Sequence, residues 1–172
     1  APSSNPSTPA RTIDAPPKRI VALGMADQDI LLALGITPIA MIENPNHESR
    51  LFPWVRDRFD TEGVTMLPFE IQTSSVERIA AMKPDLILAT TVSADASLYA
   101  QYSDFGVPIV APINGPVADS WQDLTRTIGD AVGLRPRADA LIAEVEAQIA
   151  QVGVDLPELE GHTVVMGTAT VS

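Results

Sequence analysis

The sequence predicts an α/β fold, a mostly parallel sheet flanked by helices in a Rossmann-like lobe. One observation is the apolar run Leu86–Ala89, which lacks polar alternation and is typical of a strand covered on both faces. A second is that a strand, a tight turn, a helix and another strand fit within residues 19–42, the spacing of a βαβ unit. Both features favour parallel strands joined by helices.

The composition limits the possible functions. The 172 residues suffice for one substantial core, and length alone suggests one domain or slightly more. A net charge of -11 argues against a nucleic-acid partner, because phosphate binding needs clustered Lys and Arg. The chain has no Cys, which excludes disulfides, thiol nucleophiles and thiolate metal sites. No apolar run is long enough for a membrane-spanning helix.

The first βαβ unit is predicted element by element. Arg19–Leu23 is the first strand, and the chain turns at Gly24–Ala26. Asp27 can cap the helix that follows, and Gly35 can end it in the left-handed conformation. Ile36–Ile42 is the second strand.

A long irregular stretch follows, from Glu43 to Phe69. It holds a weak helical segment at Trp54–Arg58 and a short strand at Val64–Leu67. Loops of this length in compact domains are often functional. Its aromatic residues fit either a ligand site or a small satellite core, and the sequence leaves both open.

The next segment is predicted as a helix that leads directly into a buried strand. Ser74 and Glu77 have the spacing of a capping box, so the helix has a defined start. Lys83-Pro84 ends it, because proline disfavours helix in the preceding residue and donates no backbone hydrogen bond. The strand is the apolar run Leu86–Ala89.

Three further elements are predicted before the last helix. Ser93–Ser103 is a modest helix, and Val107–Ala111 is a strand whose proline suits a strand start or an edge. Ser120 or Asp119 then caps a helix that stops at Gly133.

Arg137–Val152 is the most regular helical segment of the chain. Its apolar side chains repeat at helical spacing and form one stripe: Leu141, Ile142, Val145, Ile149 and Val152. The simplest interpretation is an ordinary surface helix. Gly161–Met166 is predicted as the first strand of another unit.

Catalysis is poorly supported. His47 and His162 are far apart and belong to no metalloprotease or nucleophile motif, and no phosphate-binding glycine loop is present. Asp27 and Glu43 come closest to a titratable pair, but a helix cap and a solvated loop carboxylate explain them. The sequence therefore predicts no catalytic residues and no metal ligands.

Binding is better supported, because ligands of open α/β sheets lie beyond the carboxyl ends of the strands. Trp54 and Phe69 are predicted to stack on a flat or apolar chelate. Helix amino ends in this region favour anionic or carbonyl-rich ligands. The complete set of predicted ligand contacts, including the polar side chains, is Met25, Trp54, Phe69, Gln72, Thr91, Ser93 and Asn114.

One segment resembles a known family. Ser-Val-Glu-Arg-Ile-Ala-Ala-Met-Lys-Pro-Asp-Leu-Ile-Leu, residues 75–88, is similar to a signature of the extracytoplasmic substrate-binding proteins of ABC importers. The branch is the one for ferric siderophores, haem and cobalamin, in which a single long helix joins two lobes. The resemblance implies that Glu77 docks the lobe on arginines of the membrane permease.

The resemblance also implies a domain organisation. Residues 18–135 would form the N-terminal ligand-binding lobe, residues 136–155 the linker helix, and residues 156–172 the start of a second lobe that is otherwise absent. Residues 1–17, rich in Pro and Ser, would be a flexible tether behind a lipidated Cys outside this chain. We expect a periplasmic or cell-surface protein, monomeric when full length.

The ligand class is predicted from two positions at which this chain departs from the pattern of the family. Hydroxamate-siderophore binders of the family place an arginine where this chain has Ile71 and a tyrosine where it has Ser93. Between these two positions the only basic residues are Arg78 and Lys83, on the helix, so a strongly anionic catecholate is less easily accommodated. A neutral or weakly charged ferric siderophore is therefore expected first, with haem or cobalamin second, and no cofactor is expected. The remaining alternatives are a chelatase-type enzyme and a surface interaction protein that has lost its pocket.

Overall fold

A computed structural model gives the positions of residues 15–45, 48–68, 76–92, 100–102, 104, 106–112, 118–159 and 161–163. Within these ranges the strands are β1 (Ile20–Ala22), β2 (Ala40–Ile42), β3 (Thr65–Leu67), β4 (Leu86–Leu88) and β5 (Ile109–Val110). The helices are α1 (Met25–Ala33), α2 (Pro53–Arg56), α3 (Val76–Ala81), α4 (Trp121–Ala131) and α5 (Arg135–Asp155). A 3₁₀ turn at Pro157–Leu159 follows α5.

The five strands form one sheet in the order β3-β2-β1-β4-β5, and every pair is parallel. The predicted α/β class is confirmed, with a sheet that is entirely rather than mostly parallel. The chain moves from β1 outward to β3 and then crosses back to β4 on the other side of β1. The switch point of the topology therefore lies between β1 and β4.

Helices cover both faces of the sheet, and this is why the three inner strands β1, β2 and β4 are apolar and buried at every position. On one face, Ile20 and Ala22 of β1 pack in a core with residues of α1, α4 and α5. On the other face, Val21 and Leu23 pack with the buried side of α3 and with Tyr102. Crossovers that step in opposite directions place their helices on opposite faces when each is right-handed.

Helices α4 and α5 form a tight antiparallel hairpin. Ser120 caps α4 by accepting the backbone N–H of Asp123 at 3.1 Å, as the sequence predicts. A side chain on Gly129 would bring its Cβ to 2.5 Å from the Cβ of Ala138, so glycine is what permits this close approach. Arg126 pairs with Asp139 across the hairpin at 3.1 Å.

The second half of α5 leaves the hairpin. Gln122, near the start of α4, hydrogen-bonds to Glu146 at 3.2 Å, and residues 147–155 continue past this point for about 13 Å at 1.5 Å per residue. The predicted apolar stripe is buried at Ile142 but exposed at Ile149 and Val152. None of the described helices, α5 included, is long and apolar enough to cross a membrane.

Some predicted boundaries are wrong. The second strand was expected at Ile36–Ile42 but covers only Ala40–Ile42, because the N–H of Ile36 bonds to the carbonyl of Leu31 and completes the end of α1. Most of the helix expected at 93–103 lies outside the described residues, as do residues 164–166 of the strand expected at 161–166. The described half of that segment, residues 161–163, forms no strand.

Candidate functional site

The loops that follow β1 and β4 meet at the switch point. The N–H of Leu23 donates to the carbonyl of Leu88 at 2.9 Å, which continues the sheet ladder past the end of β1. Gly24 then leads into α1, while Thr90 and Thr91 lead away from β4. Open α/β sheets bind ligands in the crevice at such a point.

Asp27 joins the two loops from beneath. Its carboxylate accepts the backbone N–H of Gly24 at 2.9 Å, the backbone N–H of Thr90 at 3.3 Å and the hydroxyl of Thr90. The side chain is completely buried. The prediction that Asp27 is the N-cap is wrong: Gly24 occupies that position, and Asp27 reaches back to it from the first turn.

Burial raises the pKa of the Asp27 carboxyl to about 6, although its bonds with Thr90 and Gly24 act in the opposite direction. The group is therefore mainly ionised at neutral pH. An ionised carboxylate beneath the amino end of α1 offsets the positive end of the helix dipole. The expectation that helix amino ends favour an anionic ligand is thus not supported at α1.

The crevice has no room for a side chain at Gly24. A Cβ there would collide with the hydroxyl oxygen of Thr91 and lie 2.7 Å from a carboxylate oxygen of Asp27. Thr91 is partly exposed, and Met25, the first residue of α1, is 44% exposed. The structure therefore brings two of the predicted ligand residues, Met25 and Thr91, to the rim of the same crevice.

The loop after β2 carries an ion pair that sequence reasoning missed. Glu43 follows the last residue of β2, and its N–H bonds to the carbonyl of Leu67 at 2.9 Å. Its buried carboxylate lies 2.6 Å from Nη2 of Arg50. Glu43 is thus not the solvated loop carboxylate that was expected. The signal in the sequence was its position directly after a fully buried strand.

Trp54 is held by a contact with α1 and by a neighbouring aromatic ring. Its indole N–H donates to the carboxylate of Asp29 at 3.1 Å, and its ring stacks on Phe52 with centroids 5.0 Å apart. Burial raises the pKa of Asp29, while the bond from Trp54 lowers it. The Trp54 side chain is about half exposed, and stacking on a ligand stays a prediction.

The other predicted residues are distributed as follows. Glu77 is exposed in the first turn of α3. His162 is exposed, and no three metal-binding side chains gather among the residues the structure describes. Several residues named from the sequence lie outside the described ranges: His47, Phe69, Ile71, Gln72, Ser74, Ser93 and Asn114.

Comparison with known proteins identifies relatives across nearly the whole chain. A family model described as periplasmic binding protein matches residues 20–170. The Fe(3+) dicitrate-binding periplasmic protein of Escherichia coli is 30% identical over 162 residues, which cover 92% of this chain and 50% of that protein. A probable siderophore-binding lipoprotein of Bacillus subtilis is 29% identical over 155 residues, or 88% of this chain and 44% of the relative. The chain spans about half the length of the curated relatives it matches.

Solved structures share the fold. A periplasmic solute binding protein from Mycobacterium smegmatis superposes with a TM-score of 0.75 at 35% identity, covering 85% of this chain and 51% of that one. PiaA of Streptococcus pneumoniae, in complex with ferrichrome, gives a TM-score of 0.75 at 25% identity, with 87% and 50% covered.

Proposed function

Because the chain belongs to the periplasmic binding protein family, we propose that it is a ligand-binding lobe for a ferric siderophore or a related iron chelate. The protein would capture the chelate outside the cytoplasmic membrane and deliver it to an ABC importer. Relatives named for Fe(3+) dicitrate and for siderophore binding support this ligand class. Names that include periplasmic and lipoprotein support the location, and a lipid anchor would hold the protein at the membrane.

The observation that carries the proposal is that the loops after β1 and β4 are bonded together at the switch point. Three hydrogen bonds to one buried carboxylate hold the loops after β1 and β4 together. A rim fixed in this way presents a preformed surface, which reduces the entropic cost of ligand binding. Binding sites of this kind are usually largely preformed.

The same carboxylates argue for binding without turnover. Asp27 and Glu43 were the best pair for an enzyme, and both engage the protein's own donors. Neither is exposed to a ligand above the rim. The family and its relatives are substrate-binding proteins, and we infer that this chain likewise has no catalytic step.

Helix α5 would be the link to a second lobe. Its first half is packed against α4, whereas Ile149, Val152 and Val154 of its second half are exposed by 52 to 71%. Exposed apolar groups at this density favour a covering partner. The curated relatives are about twice as long as this chain, which is consistent with a second lobe on this surface.

A ligand screen on the full-length protein tests the function. Ferric dicitrate, ferrichrome, haem and cobalamin would each be titrated while tryptophan fluorescence is followed. We expect saturable binding of at least one iron chelate, with the chelate recovered unchanged. Failure of all four to bind, or conversion of a chelate to product, would reject the proposal.

Trp54→Ala tests the proposed stacking contact. If the indole covers the chelate, affinity should fall by about 1–3 kcal/mol. Trp121→Ala is the matched control, because Trp121 is also an exposed indole but begins α4 away from the loop after β2. Equal affinities for the two variants would remove Trp54 from the site.

Glu77→Ala tests docking on the permease. Glu77 is exposed in the first turn of α3, so its loss should leave chelate affinity unchanged and lower uptake by whole cells. Glu62→Ala removes another exposed glutamate, in the turn before β3, and controls for net charge. A drop in affinity would place Glu77 in the ligand site instead.

A further inference from the structure

Arg50 is a cation placed at the carboxyl end of a central strand. The N–H of Asn44 donates to the carbonyl of Arg50 at 2.8 Å, which folds the loop back on itself and returns Arg50 to the end of β2. Strand β2 is the neighbour of β1, so this position borders the crevice described above.

Glu43 fixes the direction of the guanidinium. Its carboxylate is buried and bonds one nitrogen, Nη2, at 2.6 Å, while the Arg50 side chain is 60% exposed. No other acceptor for this guanidinium is found among the described residues. Its remaining N–H donors are therefore available for a ligand, and the planar guanidinium suits paired hydrogen bonds to a second carboxylate.

The backbone of Arg50 has an uncommon conformation for a residue other than glycine. Its φ of 57° lies in the left-handed region, where glycine is favoured and arginine is uncommon. Lys83 also has a positive φ, but it follows the end of α3, where a left-handed residue is common. Strained non-glycine residues cluster at ligand sites.

The charge of the whole chain makes a local cation valuable for an anionic ligand. Asp and Glu number 22 against 11 Lys and Arg, so the average field repels anions. A polycarboxylate iron chelate would need a positive group at the site to offset this repulsion. A neutral hydroxamate chelate would not.

We propose that Arg50, oriented by Glu43, binds a carboxylate group of an anionic, polycarboxylate ferric chelate. The proposal rests on the proposed function and narrows its ligand class. It differs from the expectation of a neutral siderophore, because that expectation was based on the segment from Ile71 to Ser93 and left out the loop after β2. Arg50 is a specificity-determining residue in this account, and Glu43 is a positioning residue.

The alternative is that Arg50 only neutralises a buried glutamate. A single Arg50 variant would confuse the two roles, because it leaves Glu43 without a counter-charge. The test therefore pairs Arg50→Gln with the double variant Glu43→Gln/Arg50→Gln, which removes both charges and keeps side chains of similar length. Arg56→Gln is the matched control, since Arg56 is a half-exposed arginine paired with Asp57.

The measurement is the dissociation constant of the full-length protein for ferric dicitrate and for ferrichrome, in low and in physiological salt. We expect the double variant to lose roughly tenfold or more in affinity for ferric dicitrate, the loss of one charge-assisted contact. Any affinity for ferrichrome should stay within about threefold, and the Arg56→Gln control should match wild type with both chelates.

Four results would overturn this proposal. Equal loss for both chelates, or no loss for either, would leave Arg50 as a counter-ion while the proposed function stands. Binding of ferrichrome alone by the wild type would likewise reject the polycarboxylate class and keep the function. Binding of neither iron chelate by the wild type would overturn the Arg50 assignment.

Discussion

Asp27 and Glu43 are two buried carboxylates at the same edge of the sheet, and they are stabilised in different ways. Neutral donors from Gly24 and Thr90 surround Asp27, and burial raises its pKa to about 6. Glu43 instead faces the guanidinium of Arg50. Asp27 therefore joins two loops through neutral donors, whereas Glu43 is paired with a cation whose side chain is mostly exposed to solvent.

Removal of the Asp27 carboxylate should have the largest effect. Asp27→Ala leaves the N–H groups of Gly24 and Thr90 buried without an acceptor, so the free energy of unfolding should fall by about 3–4 kcal/mol. Urea denaturation at pH 7 measures this change. Asp27→Asn keeps an acceptor of the same shape and should lose much less. A loss below about 1 kcal/mol in the alanine variant would mean that the loops are held by other contacts.

The pH dependence of stability should give the next largest effect, and it concerns Asp27. The folded-state pKa of Asp27 is about 6 against a reference value of 3.8, so the folded state binds this proton first on acidification. The stabilisation that comes from this proton uptake is fully present below pH 3.8 and is lost as the pH rises through 6. Relative to Asp27→Asn, the wild type should therefore gain about 3 kcal/mol between pH 7 and pH 3.5. A difference that is flat with pH would contradict the raised pKa.

Arg50→Gln should destabilise the fold less than Asp27→Ala. It leaves the Glu43 carboxylate buried without its counter-charge, and we expect a loss of about 2 kcal/mol because Arg50 itself is more than half exposed. The double variant with Glu43→Gln should recover most of this loss. Additive losses in the double-variant cycle would mean that the two side chains do not interact.

Glu43→Gln alone should have the smallest effect, about 1 kcal/mol, because water can solvate the released guanidinium. Chemical denaturation at two salt concentrations would measure it. Asp57→Asn, which removes the exposed partner of Arg56, is the control for a surface pair. A larger loss for Glu43→Gln than for Arg50→Gln would mean that Arg50 depends on Glu43 more than Glu43 depends on Arg50.

Much of the fold could be predicted because its signals are local. Gly35 and Gly133 end their helices with φ of 84° and 73°, and Leu86–Leu88 forms a buried strand, as the apolar run indicates. The helix expected at Arg137–Val152 is confirmed within Arg135–Asp155. Each of these features depends on a few neighbouring residues.

The candidate site was predicted less completely because its contacts join distant segments. Asp27 is a residue type that is favoured at N-caps. In the fold, however, it is buried and bonds to Thr90, which lies 63 residues away in the sequence. Arg50 was not considered, because its bond to Glu43 forms only when the loop closes in a left-handed turn. The positions of Met25 and Thr91 at the crevice follow from parallel topology, and their contact with a ligand stays a prediction.

The sequence by itself determined the class of fold, the alternation of strands and helices, and the edge of the sheet where a ligand would bind. Hydrophobic periodicity, helix caps and helix-stopping residues are sufficient for these predictions, because each acts within a few residues of the chain. Only the tertiary structure decided which carboxylates are buried and which cation is left facing outward. Burial and pairing depend on the strand order. It brings residues that are far apart in the sequence together around one crevice, where they are shielded from solvent.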